Sequence, residues 1–136
     1  MYETFDHTAD LGLRVRATDL DTLFAEAAEA LFSAIVEDPA TIEPREPVSI
    51  TIAGDEQDFL LYDWLRRLLY LFEADHWLFR NFEVRVSDTG LEATAWGEPL
   101  DRARHELSHE VKAITYHELK VEPTDDGWLA EVIVDI

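Results

Sequence analysis

Three short stretches of this chain hold residue types that could do chemistry. The first is Asp6-His7-Thr8-Ala9-Asp10, in which two carboxylates bracket an imidazole. Such a set can act as general acid and base or can ligate a metal. The second is His105-Glu106-Leu107-Ser108-His109, which spells H-E-x-x-H. On a helix that pattern sets two histidines one turn apart to bind zinc, with the glutamate as general base. The third is the final pair, Asp135 and Ile136, whose side-chain carboxylate and α-carboxylate can face one cation. Adjacent anionic oxygens repel unless something positive compensates, and all-oxygen sites select hard cations such as Ca²⁺ or Mg²⁺. If Asp6 or Asp10 reached the same place, enough carboxylates would be present.

The context of H-E-L-S-H argues against zinc. Pro99 lies upstream, and the strand-like Val111-Lys112-Ala113-Ile114-Thr115-Tyr116 begins two residues after His109, so a continuous helix is not expected. The longer metzincin form fails as well, because Lys112 and Thr115 stand where its glycine and third histidine belong. Only a third ligand brought in by folding, His117 or Glu118, would leave a zinc-dependent hydrolase as the alternative to two solvated loop histidines. Ser33, Ser49, Ser87 and Ser108 lack a nucleophile elbow, and the five glycines form no phosphate loop.

Periodicity supplies the elements that must position these groups. Leu11, Leu13, Val15 and Ala17 alternate with polar residues as in a half-buried strand. Thr18 or Asp19 then caps a helix lined by Leu20, Leu23, Phe24, Ala27, Leu31, Ala34 and Ile35, which Pro39 ends. A second strand, Pro47 to Ala53, precedes a second helix from about Glu56 to Ala74. Its narrow polar stripe, with Asp63 and Arg67 spaced to pair, predicts the more buried helix of the two. Phe82 to Val86 and Leu91 to Ala95 alternate around Asp88-Thr89-Gly90 as a hairpin. Glu98 to Ser108 reads as a loop with one helical turn, and Val111 to Val121 pairs with Trp128 to Ile136. Trp64, Trp77, Trp96 and Trp128 fall in separate apolar elements as packing residues. The fold class is α+β: mostly antiparallel sheet with two helices, in one domain over residues 1–136.

Thirty Asp and Glu oppose eleven Lys and Arg, for a formal net charge of −19. Direct nucleic-acid binding needs a basic footprint and is not expected. So acidic a surface with only two lysines, Lys112 and Lys120, fits a very salty cytoplasm, where screening removes self-repulsion. No cysteine is present, no apolar run nears the length of a membrane span, and no signal peptide precedes Asp6. A cytoplasmic protein is the expectation.

Four segments carry a resemblance: Y-E-T-F-D-H-T-A-D-L-G at Tyr2 to Gly12, G-E-P-L-D at Gly97 to Asp101, E-V-K-A-I-T-Y-H at Glu110 to His117, and the terminal V-D-I. In type and order the chain resembles the archease family from end to end. The resemblance implies a small α+β protein, itself no enzyme. It activates the GTP-dependent tRNA-splicing RNA ligase by promoting guanylylation of the ligase and multiple turnover. It also implies a divalent cation, usually calcium, held by Asp10, Asp135 and the carboxylate of Ile136. Asp6, His7, Lys112, Tyr116 and His117 would then surround the cluster as partner-facing candidates. A chaperone-like or metal-binding modulator of another RNA-processing enzyme is the variant within the same class.

Overall fold

The computed structural model describes residues 1–7 and 10–136; Thr8 and Ala9 of the D-H-T-A-D stretch lie outside the described residues. Strand β1 (Tyr2–His7) is followed by β2 (Asp10–Ala17), helix α1 (Leu20–Ile35) and a 3-10 turn (Pro39–Thr41). Then come β3 (Glu46–Ala53), α2 (Gln57–Asp75), β4 (Trp77–Ser87) and β5 (Gly90–Pro99). The chain finishes with β6 (Ala113–Ile114), β7 (Lys120–Thr124) and β8 (Gly127–Asp135). All pairings are antiparallel and form two sheets. One has the order β1-β2-β8-β6, with β7 also on β8, and the other is β3-β5-β4.

Alternation assigns each face of the larger sheet. Leu11, Leu13 and Val15 of β2, with Ala130, Val132 and Val134 of β8, belong to the core beneath the helices. Their neighbours Asp10, Gly12 and Arg14, and Glu131, Ile133 and Asp135, therefore lie on the other face. Gly12 is required there, because a Cβ would stand 2.1 Å from the Phe5 ring, which lies across it. Arg14 in turn stacks 4.5 Å above the same ring.

Helix α1 starts where the Asp19 side chain accepts from Thr22 N–H at 2.8 Å. Asp21 also accepts from Val86 N–H, joining the helix start to β4. The helix stops at Ile35, ahead of Pro39, which opens the 3-10 turn. In α2, Trp64 is fully buried and donates its indole N–H to the carbonyl of Phe24 at 2.9 Å. That bond fixes the spacing of the two helices. Trp77, Trp96 and Trp128 are half-buried packing residues, as anticipated.

Several sequence expectations change. Helix α1, not α2, is the more buried, with nine buried residues of 16 against seven of 19. The reason is that Phe59, expected on the buried face, is 47% exposed, and Tyr70 is 63% exposed. Asp63 and Arg67 form no ion pair among the described residues. Val111 to Val121 is two short strands, because Glu118 takes the left-handed conformation (φ 54°) and turns the chain between them. Tyr2–His7 forms an additional strand, and Glu98-Pro99 belongs to β5 rather than to the following loop.

Candidate metal centre

The register of the larger sheet decides which groups meet. His7 is opposite Asp10, Asp10 is opposite Asp135, and Asp135 is opposite Ala113. These residues form one row across β1, β2, β8 and β6, and directly opposed side chains share a face. The first strands and the last thus bring together the two aspartates that the sequence singled out, 125 positions apart. Asp135 is further fixed by its carbonyl, which accepts from Lys112 N–H at 2.7 Å. Ile136 lines a cleft of about 660 Å³ with Asp6, His7, Asp10, Ser108, His109 and Glu110.

Electrostatics on this face are uneven. Four residues along the strands from Asp10 and Asp135, on the same face, Glu131 receives Arg14 at 2.7 Å and Lys120 at 2.9 Å. Burial pushes the Glu131 carboxyl up, but hydrogen bonds from Lys120 and Arg14 outweigh it and hold the group below the ordinary carboxylate range. Asp10 and Asp135 have no Lys or Arg ion-pair partner among the described residues; His7 Nδ1 lies 3.7 Å from Asp10 Oδ2. That Nδ1 is buried and makes no hydrogen bond among the described residues. Like charges directly opposed across strands destabilise a sheet. A hard divalent cation fits this all-oxygen donor set and would remove the repulsion.

H-E-L-S-H is not a zinc helix. His109 N–H and Ser108 N–H donate to the carbonyls of Ala34 and Ile35, so the segment runs extended along the end of α1. His105 is buried, with both ring nitrogens committed: Nδ1 accepts from Asp101 N–H at 2.9 Å, and Nε2 lies 2.9 Å from Glu98 Oε2. Glu98 is buried too, and its carboxylate also takes Glu43 N–H at 2.7 Å, Arg45 at 2.6 Å and Arg104 at 2.5 Å. Burial alone would raise its pKa, yet these donors hold the carboxyl far below the usual range. Of the two histidines that looked most like a zinc peptidase, His105 is thus not solvated but part of a structural latch that pins the loop carrying Ser108 to Glu110 at the cleft, and only His109 is exposed.

Beside the cleft, Tyr116 stacks on Tyr62 at 3.9 Å and meets Phe59 edge-on at 5.6 Å, making an exposed aromatic platform. His117 lies 5.3 Å from His7, ring centre to ring centre, and Lys112 is exposed. Of the partner-facing candidates, Asp6 and His7 line the cleft, Lys112 bonds to Asp135 through its backbone, and Tyr116 and His117 flank the row. Glu118, whose carboxylate reaches His7, had no marker in the sequence as part of this cluster beyond its proximity to His117.

The chain matches the model of the Archease protein family over residues 2–136. It belongs to the archease family. An archease of Methanopyrus kandleri is 42% identical over 99% of both chains. The solution structure of Methanobacterium thermoautotrophicum protein 1598 superposes with a TM-score of 0.88 at 35% identity, covering 99% of this chain and 98% of that one. The crystal structure of an archease from Thermotoga maritima, described as a possible chaperone, shares the fold with a TM-score of 0.65 at 21% identity, covering 100% of this chain and 98% of that one. The α+β architecture read from periodicity is thus the archease fold, and the motifs that carried the resemblance lie around the cleft and its latch.

Proposed function

We propose that this protein is a non-catalytic activator of the GTP-dependent tRNA-splicing RNA ligase and that it works through a divalent cation, calcium or magnesium, at Asp10, Asp135 and the Ile136 carboxylate. The observation that carries the reading is the row that sets Asp10 opposite Asp135 with no Lys or Arg partner among the described residues, on a face where Glu131 has two. When bound, the cation supplies fixed positive charge between these carboxylates. The chain's own residues do the rest. Asp10 and Asp135 present opposed carboxylates from β2 and β8, the Glu98 latch holds Ser108 to Glu110 at the cleft wall, and exposed Lys112, Tyr116 and His117 border it. An enzyme that handles RNA needs a basic footprint, and a partner of net charge −19 is its electrostatic complement. Activity then comes from meeting the ligase at this rim and favouring the state that accepts GMP, which is also compatible with the possible-chaperone description given to a relative.

The test is ligation of RNA bearing a 2′,3′-cyclic phosphate by the cognate ligase, with and without this protein. Expected are many turnovers only with it, loss of that stimulation on Asp10→Ala or Asp135→Ala, and no ligation by the protein alone. Normal stimulation by both variants would remove the site assignment, and no stimulation by the unaltered protein would remove the ligase.

A further inference from the structure

Next to the all-oxygen row lies a cluster of different chemistry. One ligand atom from each of His7, His117 and Glu118 lies within 4.8 Å of the others. His7 Nε2 is 3.3 Å from Glu118 Oε2, and His117 Nε2 is 3.7 Å from Glu118 Oε1. Ligands about 2.0–2.1 Å from a tetrahedral zinc ion stand about 3.3 Å from one another, so the three side chains would draw in from their separation of up to 4.8 Å by rotamer adjustment. The two imidazole rings are inclined at 67°, converging rather than stacked.

Two further observations point to a ligand here. Glu118 occupies the left-handed region at φ 54°, a conformation unfavourable for a residue with a Cβ, and the tight turn it makes directs its carboxylate at His7. His7 Nδ1 is buried without a hydrogen bond among the described residues and faces the Asp10 carboxylate at 3.7 Å. Carboxylate behind one ring nitrogen with the other directed at the cluster is how metal-binding histidines are oriented.

We infer that His7, His117 and Glu118 form a second metal site, which takes a borderline transition-metal ion of the Zn²⁺ class in a two-histidine, one-carboxylate set completed by water. Imidazole nitrogen favours such ions over Ca²⁺ and Mg²⁺, so the site is chemically distinct from the oxygen row beside it. Asp10 joins the two: it belongs to the row and orients His7. The ion would clamp the β6–β7 turn onto the β1–β2 hairpin, immobilising the turn next to Tyr116. This is the zinc chemistry that the sequence offered at His105 and His109, placed instead on residues from the two ends of the chain.

The experiment uses chelator-stripped protein without an oligohistidine tag, titrated with Co²⁺ in excess Ca²⁺ and read by visible d–d absorption, then back-titrated with Zn²⁺. Expected are one Co²⁺ per chain that Ca²⁺ does not displace and Zn²⁺ does. Affinity should fall ten-fold or more on His117→Ala and on Glu118→Gln, with far-UV circular dichroism unchanged, because both side chains are exposed. His109→Ala and Asp135→Asn should keep it. Absence of saturable binding, displacement by Ca²⁺, persistence in His117→Ala, or loss in Asp135→Asn would each overturn the site. None of these readings depends on the ligase, so failure here is separable from failure of the proposed activity.

Discussion

At the residue scale, Asp135 exposes how one position can lower stability in one buffer and raise it in another. Without a cation, its opposition to Asp10 is repulsive, so Asp135→Asn should raise stability by about 0.2–1 kcal/mol in chelator. With Ca²⁺ at a hundred times its dissociation constant the unaltered protein gains about 2.7 kcal/mol and the variant should not. Thermal melts with and without Ca²⁺ should therefore cross in rank order; parallel shifts would refute the site. Glu98 behaves in the opposite sense. Its folded-state pKa is depressed, so its contribution is fully present above the unfolded value near 4 and is lost as pH falls through the folded value. Removing its charge leaves Arg45, Arg104 and His105 facing a neutral group, and Glu98→Gln should cost about 3–5 kcal/mol at pH 7. In urea titrations the gap between the two proteins should narrow only on acidification below about pH 4.

At the element scale, the turns carry the information that periodicity could not. Alternation located β2, β3, the β4–β5 hairpin and β8 within a residue or two at most ends, because each buries one face. It missed the break at Glu118, since nothing about a glutamate announces a positive φ, and it overestimated the burial of α2, since apolar residues all round a helix do not say which face finds a partner. The pairing of β2 with β8 was likewise beyond periodicity: the D-H-T-A-D stretch marked Asp10 and the final pair marked Asp135, but only the sheet order made them neighbours. His76 closes α2 in the left-handed conformation at φ 59°, with its N–H on the carbonyls of Leu71 and Phe72. Glycine suits that position better, and His76→Gly should stabilise by about 1 kcal/mol in urea unfolding. Two of the tight glycines, Gly97 and Gly12, should separate by a different rule. At Gly97 a Cβ would meet the backbone carbonyl of Leu78 at 1.9 Å, whereas at Gly12 it meets a side-chain ring that can turn aside. Gly97→Ala should cost several kcal/mol and exceed Gly12→Ala, which overpacking puts at about 1–3 kcal/mol.

At the scale of the whole molecule, a net charge of −19 on 136 residues sets the solution conditions under which the fold holds. Self-repulsion over a surface with few cations weakens the compact state, and a Debye length of about 3 Å at 1 M salt screens it. The melting temperature should rise steadily as KCl goes from dilute to molar; a flat or falling curve would mean that the acidic surface is not a salt adaptation. The same field makes any encounter with a basic partner faster in dilute salt and slower in concentrated salt.

The place of β8 bears on how the chain is made. Helix α1, the three-stranded sheet and α2 are all encoded before residue 100, and both strand pairings of that sheet close within that part. The central strand of the other sheet, the shared partner of β2, β6 and β7, is Gly127–Asp135. On a ribosome, which delivers residues in order, the β1–β2 hairpin must wait with one edge open until nearly all of the chain has emerged. A nascent chain arrested before β8 should hold a protected β3-β5-β4 sheet and a β2 that still exchanges its amide hydrogens.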